Sequence, residues 1–318
     1  MSYLRYIIRR AAFAVVSVYL VVSATFVLGN WMISDKIGGI LARARYGGAS
    51  PEEIERIRQG LYESYNLNEP IHERYLGWLV DVTTFDWGYS QELNRPVVAA
   101  LNGRVQLTLE YVIPGVVLAV ILGAMLGLFA ALAKDSAFDW SVRTIAYVGL
   151  GIPVFMVLTY LLYFSGGTVP LVGGWELALA ELNRKTMAAI AVGVGLLAGQ
   201  LRFSRASALE QTGREFVKML RAKGSTRLGL ARHVLRNAAV PIVSLSISEL
   251  LAVLVLNIYV IEEVLGLSGL AGASLTAAKN GDVALLIWST MVVVFLGISL
   301  NFLQDLAYGY LDPRVRAD

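Results

Sequence analysis

Long stretches without charge constrain this chain more than any other feature of its sequence. A helix that crosses a membrane needs about 20 apolar residues, because each residue adds 1.5 Å across roughly 30 Å of hydrocarbon. Five runs exceed that length with at most two charged residues each: 11–34, 111–133, 144–182, 237–261 and 283–304. A sixth run, 186–201, is uncharged but holds only 16 residues. Together the runs predict an all-α integral membrane protein with about six transmembrane helices.

The positions of the positive charges predict whether the number of spans is even or odd. Arginines precede the first run and follow the last, and nine cations lie between the fourth and fifth runs: Arg202, Arg205, Arg214, Lys218, Arg221, Lys223, Arg227, Arg232 and Arg236. Short loops rich in Lys and Arg tend to face the cytoplasm. With six spans these three segments share one side. We therefore expect a multi-pass protein of the cell membrane with both termini and loop 202–236 in the cytoplasm.

A polar stretch, residues 35–104, separates the first two runs. It holds eight Lys or Arg and ten Asp or Glu, and it is long enough to be translocated regardless of charge. The sequence Ser-Pro-Glu-Glu at 50–53 is typical of a helix start. The predicted division is a first transmembrane helix in 1–34, a small helical extracytoplasmic domain in 35–104, and a core of five transmembrane helices in 105–318.

The inventory of reactive residues excludes several functions. The chain has no cysteine, and its two histidines, His72 and His233, are far apart in sequence. Structural zinc, iron–sulfur clusters, disulfides and thiol catalysis therefore lack ligands or nucleophiles, and we expect no metal or cofactor. The net charge of +3 does not favour a nucleic-acid partner. Since the chain also lacks a G-x-x-x-x-G-K-[ST] phosphate loop, it should not hydrolyse ATP itself.

Glu249 is the main ionisable residue inside a predicted span. A charge in hydrocarbon is costly, so this side chain should face the interior of a helix bundle or a water-filled path. Two interpretations remain open from the sequence. Glu249 lines a substrate pathway or binds a partner subunit, or else it is a neutralised or hydrogen-bonded packing residue. Asn257 follows about two helical turns later.

Small residues and one proline also stand out within the runs. Gly123 and Gly127 form a GxxxG pair, as do Gly195 and Gly199, and such pairs let helix backbones pack closely. Pro153 predicts a kink in the third span, because its ring removes a backbone donor and clashes with the preceding turn.

The most informative segment is the basic loop. It contains Glu-Phe-Val-Lys-Met-Leu-Arg-Ala-Lys-Gly at 215–224 and Arg-His-Val-Leu-Arg-Asn-Ala-Ala-Val-Pro at 232–241. Gly224 predicts that one helix ends there and that a second begins beyond it. We expect a helix–turn–helix on the inner membrane face. An ordinary basic loop touching anionic lipid remains the alternative.

These segments resemble the inner-membrane permeases of ABC importers, specifically the B-type permease of dipeptide and oligopeptide systems. That family carries an R-A-K-G core followed by R-H-x-L-R-N-A and a proline, which match residues 221–224, 232–238 and Pro241. Further segments look like the family's at 3–10, 75–78, 85–88, 152–155 and 305–314. The Lys-Met-Leu at 218–220 departs from the E-A-A of the broad importer signature.

The resemblance implies a fold, a function and partners. It implies a type I ABC importer permease for di- or oligopeptides, working in the bilayer with a C-type permease, two ABC ATPase subunits and an extracellular substrate-binding protein. Its loop would be a coupling helix that docks on an ATPase through Glu215, Arg221, Ala222, Lys223 and Gly224. Glu249, Asn257 and Glu262 are candidates for the pathway or outer gate.

Other functions remain as alternatives. A peptide-type importer of oligosaccharides or nickel chelates has the same features. A secondary transporter would bind substrate and coupling ion within one chain and is usually built from internal repeats, which we do not find between the two halves. A channel or a membrane enzyme fits less well, because the sequence lacks a filter-like segment and a catalytic constellation.

Overall fold

The computed structural model describes residues 3–164, 168–170, 176–178 and 183–311. Within these ranges the chain forms twelve α-helices: α1 (Tyr3–Tyr46), α2 (Pro51–Ser64), α3 (Ile71–Thr84), α4 (Val97–Leu132), α5 (Ala137–Leu150), α6 (Val154–Tyr163), α7 (Arg184–Thr212), α8 (Glu215–Ala222), α9 (Arg227–Ala252), α10 (Ile258–Leu265), α11 (Leu270–Asn280) and α12 (Val283–Leu311). A π-helical segment, Val253–Asn257, joins α9 to α10.

Two short antiparallel hairpins complete the described structure. In the first, β1 (Tyr89–Ser90) pairs with β2 (Arg95–Pro96). In the second, β3 (Thr168–Pro170) pairs with β4 (Glu176–Ala178), with Val169 opposite Leu177.

The described helices confirm an all-α membrane protein with about six spans. Five stretches are long and apolar enough to cross a membrane: Leu4–Tyr46, Val97–Leu132, Arg184–Thr212, Pro241–Leu265 and Val283–Gly309. Helices α5 and α6 together form a sixth candidate, bent by 92° at the break between them. Pro153 caps the start of α6 at this break, so the predicted kink is confirmed.

The nearly uncharged run 144–182 located the third span but did not coincide with the ends of its helices. Helix α5 begins at Ala137, and α6 ends at Tyr163. The described part of the remaining run forms β3 and β4 instead of helix. Apolar composition alone does not distinguish a short strand from a helix, which explains the difference.

Several helices continue past the apolar runs that predicted them. Helix α1 extends beyond residue 34 to Tyr46, and α7 reaches Thr212, so Arg202 and Arg205 are helical residues rather than loop residues. With 29 residues, α7 is long enough to span, although its uncharged part is short. Charged residues at helix ends extend a helix into the interfacial region without interrupting it.

The chain divides into two compact units. Unit 1 comprises residues 1–10, 105–272 and 299–318, and unit 2 comprises residues 11–104 and 273–298. Unit 1 contains α5 to α10 and the segments that carry the predicted sites. Unit 2 contains α2, α3 and the hairpin of β1 and β2.

Aromatic stacking holds unit 2 together. The ring of Trp288 stacks on those of Trp78 and Trp87, with centroids 4.7 Å and 4.5 Å away. The carboxylate of Asp282 accepts a hydrogen bond from Ser90 Oγ at 2.6 Å and caps α12 through the Leu285 N–H. The predicted start of α2 is confirmed, because Ser50 Oγ accepts from the Glu53 N–H.

Helix α7 is central in unit 1, where it packs against α5, α6 and α9. Helix α4 approaches it through glycines. A Cβ at Gly123 would collide with the Cβ of Gln200, and one at Gly127 would lie 2.9 Å from the Leu201 carbonyl oxygen. The predicted close packing of this GxxxG pair is confirmed. For Gly195 it was wrong, since a Cβ there would meet no atom within 4 Å in the described part of the chain.

Candidate functional site

Helix α8 and the turn after it form the first candidate site. The helix ends at Ala222, and Gly224 follows with a φ of +77°. The Ser225 N–H donates to the Leu220 carbonyl at 3.1 Å, which is the six-to-one bond of a Schellman C-cap. Glycine suits this left-handed position because a side chain there is strained. The helix–turn predicted from the sequence is confirmed.

The second helix of this motif differs from the prediction in one respect. Thr226 caps the start of α9 by accepting a hydrogen bond from the Gly229 N–H at 3.2 Å. Helix α9 then continues without a break through Pro241 to Ala252. The proline is tolerated because spans of a membrane bundle satisfy freed carbonyls locally. The second helix of the predicted helix–turn–helix and the predicted fifth span are therefore one continuous element.

An apolar cluster fastens α8 to the ends of three longer helices. Val217 is 0% exposed on the inner face of α8, and Phe216 and Leu220 pack beside it. The buried partners come from α4, α7 and α9: Leu128, Ala131, Ala208, Leu230, Ala231 and Val234. These side chains form one packed apolar cluster, which attaches α8 to the ends of the three helices.

The opposite face of α8 is open. Met219 is 51% exposed, and Lys218 pairs with Glu215 at 2.7 Å on the surface. The side chain of Arg221 lies outside the described residues. The other predicted coupling residues are all exposed: Glu215, Ala222, Lys223 and Gly224. The structure thus brings these loop residues together on one accessible surface.

A buried ion pair that was not predicted from the sequence joins α5 to α7. Asp139 is 0% exposed, and Arg205 binds it through two hydrogen bonds, at 2.5 Å from Nε and 2.8 Å from Nη2. The Asp135 N–H also donates to this carboxylate. A charge just outside an apolar run does not identify its partner 66 residues away. The available signal was the Ser-Ala-Phe-Asp at 136–139, a helix-start pattern that lies just before the apolar run.

Glu249 lies on α9 and its side chain faces α7. Its Oε2 accepts a hydrogen bond from Gln200 Nε2, which also lies 3.2 Å from Ser246 Oγ. A Cβ on Gly199 would approach Glu249 Oε1 to 2.5 Å, so the glycine leaves room for the carboxylate. This geometry satisfies the hydrogen-bonded packing interpretation. The half-buried side chain is still compatible with a pathway role.

Asn257 ends the π-helical segment that begins at Val253. A π segment inserts a residue into a helix and is frequent at functional sites. The half-buried Asn257 therefore marks a local irregularity in an otherwise continuous helix.

Glu262 is only 1% exposed and sits in a polar network. Its Oε1 accepts from Thr108 Oγ1 at 2.6 Å and from the Tyr111 hydroxyl at 3.0 Å, both on α4. Its Oε2 accepts from the Gly272 N–H at 2.8 Å in the first turn of α11. A carboxylate at a helix N-terminus is favourable. Glu262 therefore ties α10 to α4 and α11, and it does not line an open cavity.

The acidic candidates do not converge on one site. Glu249 and Glu262 lie on one continuous helix, about 20 Å apart along its axis at 1.5 Å per residue. Their partners on α4 and α7 could not be assigned from sequence, since each comes from a distant segment.

A cleft of about 400 Å³ lies within unit 2. Aromatic side chains and two carboxylates line it: Tyr65, Trp78, Trp87, Trp288, Asp81 and Asp86. Burial raises the pKa of Asp81 above its ordinary value, and the nearby charge of Asp86 raises it further. Among the described residues, no group of three or more His, Cys, Asp or Glu side chains is placed to hold a metal ion.

Comparison with known proteins identifies the family. Residues 123–317 match the family described as the binding-protein-dependent transport system inner membrane component. The chain belongs to this family. The match includes α8, its glycine turn and the whole of α9, so the confirmed helix–turn–helix lies within the part that defines membership.

Relatives of this permease family cover nearly the whole chain. A protein of Brucella abortus (strain 2308), named as a peptide transport system permease, is 30% identical over 325 residues, which is 98% of this chain and 99% of the relative. The dipeptide transport system permease protein DppB of Bacillus subtilis (strain 168) is 27% identical over 266 residues, covering 82% and 85%. The chain is thus a multi-pass transport subunit, not an ATPase.

Proposed function

We propose that this permease is the B-type subunit of an ABC importer that carries di- or oligopeptides. The names of its relatives support the peptide class. In this proposal a C-type permease completes the pathway, two ATPase subunits supply the energy, and an extracellular binding protein delivers the substrate. The observation that carries the coupling role is the anchorage of α8 through Val217 to three longer helices.

The proposed coupling uses both faces of α8. Its exposed face, with Lys223 and Met219, docks in a groove of an ATPase subunit. Nucleotide-driven closure then moves α8 as a rigid body, and the cluster around Val217 passes the motion to α4, α7 and α9. Gly224 keeps α8 at a fixed angle to α9.

Within the pathway we assign different tasks to the three polar candidates. Glu249 and Asn257 face the route of the substrate when the importer opens. Glu262 is a positioning residue of the outer gate, because its hydrogen bonds hold the start of α11 against α4. The segment 35–104 forms the extracytoplasmic surface on which the binding protein docks.

The test is peptide uptake by proteoliposomes that contain the complete importer. Gly224→Ala places a side chain at φ +77°, which costs about 1–2 kcal/mol. We expect ATP-driven uptake to fall about fivefold or more. The matched control is Gly213→Ala, since Gly213 has a φ of −78° and its nearest neighbour for a Cβ is 3.9 Å away.

Two results would count against the proposal. One is unchanged coupling in Gly224→Ala together with normal assembly. The other is peptide uptake by the isolated chain in response to an ion gradient, which would favour a secondary transporter. Replacing the peptide with an oligosaccharide or a nickel chelate in the same assay tests the remaining substrate classes.

A further inference from the structure

A small basic pocket lies between α5 and α7, beside the buried pair of Asp139 and Arg205. It encloses about 150 Å³. Arg143, Arg202 and Arg205 line it together with apolar atoms of Val142, Ala146 and Leu201. It combines three guanidinium groups with an apolar wall.

The cations of this pocket are not all neutralised within the chain. Arg205 is fully engaged by the carboxylate of Asp139. Asp135 adds a second negative charge near Arg205. Arg143 lies 3.7 Å from Asp139 through Nε without a hydrogen bond, and this buried Nε has no partner among the described residues. Arg202 is exposed and forms no ion pair within the described part of the chain. Arg202 therefore has no ion pair among the described residues, and Arg143 shares the carboxylate of Asp139 with Arg205 through a longer contact.

The pocket lies at the boundary of the hydrocarbon. Arg143 immediately precedes the uncharged part of α5, and Arg202 immediately follows the uncharged part of α7. The two helices therefore place their boundary charges side by side. Trp140 and Tyr147 are both exposed next to the pocket, and these two residue types concentrate at membrane interfaces. The guanidinium of Arg143 is held 4.3 Å above the Trp140 ring.

We propose that this pocket binds the phosphate group of an anionic phospholipid. Arg143 and Arg202 contact the phosphate, for which a planar guanidinium offers paired donors. The exposed ring of Tyr147, which also lines the pocket, contacts the glycerol and the first methylenes of an acyl chain. The buried pair of Asp139 and Arg205 fixes the spacing of α5 and α7, so the pocket is preformed.

The experiment measures lipid binding by the purified full-length chain in nanodiscs of phosphatidylcholine, titrated with phosphatidylglycerol and followed by native mass spectrometry. The test variant is Arg143→Gln with Arg202→Gln. A surface arginine contributes about fivefold to anionic lipid binding, so the pair should contribute about twenty-five-fold. The control is Arg232→Gln with Arg236→Gln, which removes the same charge from exposed positions outside the pocket. We expect the pocket variant to lose at least fivefold more affinity than the control.

Several outcomes would overturn this assignment. Equal losses in the two double variants would show general surface attraction and no built site. Displacement of phosphatidylglycerol by millimolar inorganic phosphate would assign the pocket to the free ion. Equal binding of phosphatidylcholine and phosphatidylglycerol would remove the role of charge. The double variant Arg143→Lys with Arg202→Lys tests the paired donors of the guanidinium groups. It keeps the charge and should recover only part of the affinity. Circular dichroism verifies the helical content of every variant.

Discussion

At the scale of single residues, the two acids within the spans have different environments. Glu249 is half-buried against α7, whereas both carboxylate oxygens of Glu262 accept hydrogen bonds in a closed network. Thr108 Oγ1 in that network also accepts from the Leu270 N–H. The Thr108 and Tyr111 hydroxyls and the Gly272 N–H therefore all use the carboxylate of Glu262 as their acceptor.

Replacing Glu262 with glutamine should destabilise the protein. An amide NH₂ would face either the Gly272 N–H or Thr108, and one buried donor would lose its acceptor at a cost of about 1–3 kcal/mol. We expect a lower thermal unfolding midpoint for Glu262→Gln in detergent. Glu210→Gln is the control, because its exposed pair with Arg214 contributes about 1 kcal/mol at most. Equal midpoints for both variants would contradict the network.

The raised pKa of Asp81 predicts a pH-dependent effect in unit 2. A carboxyl group whose pKa is raised by folding favours the folded state when protonated, and that contribution is lost as pH rises through the folded-state pKa. Ionised Asp81 therefore costs stability near neutral pH. Asp81→Asn should raise the unfolding midpoint at pH 7, and the difference should shrink towards pH 4. The control Glu63→Gln, at an exposed site on α2, should show no comparable trend.

Glu249 and Glu262 could be predicted as site residues from the sequence, but their hydrogen-bond partners could not. Glu249 stood out because a charge interrupts an apolar run. Gln200 and Thr108 are neutral polar residues on other helices, and neutral polar residues are common in spans, so nothing in the chain linked them to the acids. Asp139 was missed because it precedes the uncharged run that predicted its helix.

At the scale of elements, Val217 is the fully buried side chain among those that attach α8 to α4, α7 and α9. Val217→Ala removes buried methyl groups and should weaken the cluster by about 2 kcal/mol. We expect faster tryptic cleavage in 214–223 and weaker coupling of ATP hydrolysis to uptake. Met219→Ala on the exposed face should leave cleavage unchanged and affect only docking of the ATPase. Identical cleavage of both variants would refute the anchoring role.

The contact of α4 with α7 gives a second prediction at this scale. A methyl group at Gly123 collides with Gln200 on α7, and overpacking of this kind costs about 1–3 kcal/mol. Gly123→Ala should therefore lower the unfolding midpoint. Gly195→Ala is matched in residue type and lies in open space, so it should leave the midpoint unchanged or raise it. A lower midpoint in Gly195→Ala would indicate that the open space is occupied by a partner.

Most elements could be predicted, but their continuity could not. Uncharged runs located five spans, and Gly224 marked the end of α8. The same criterion placed the start of the fifth span at residue 237, whereas α9 begins at Arg227. A helix does not end where charge begins, because long basic side chains remain solvated at the interface. Run 144–182 did not predict the end of α6 at Tyr163, because the same run continues into the hairpin of β3 and β4.

At the scale of the whole molecule, the proposed orientation in the membrane can be tested by cysteine labelling, without background labelling of native thiols. The chain has no cysteine, so a single introduced thiol is the only label site. We expect a membrane-impermeant maleimide to modify Glu69→Cys on intact cells, and Lys223→Cys only after permeabilisation. Both positions are exposed, so accessibility depends on the side of the membrane. Labelling of Lys223→Cys from outside would reverse the topology and remove the basis for coupling.

The unbroken path from Arg227 to Leu265 has a mechanical consequence. It is about 58 Å long at 1.5 Å per residue and contains one π segment. A stiff rod of that length, tilted by about 10° around its midpoint, moves each end by about 5 Å in opposite directions. Closing the helix bundle at one membrane face would then open it at the other face in the same movement, with no separate signal between the two faces.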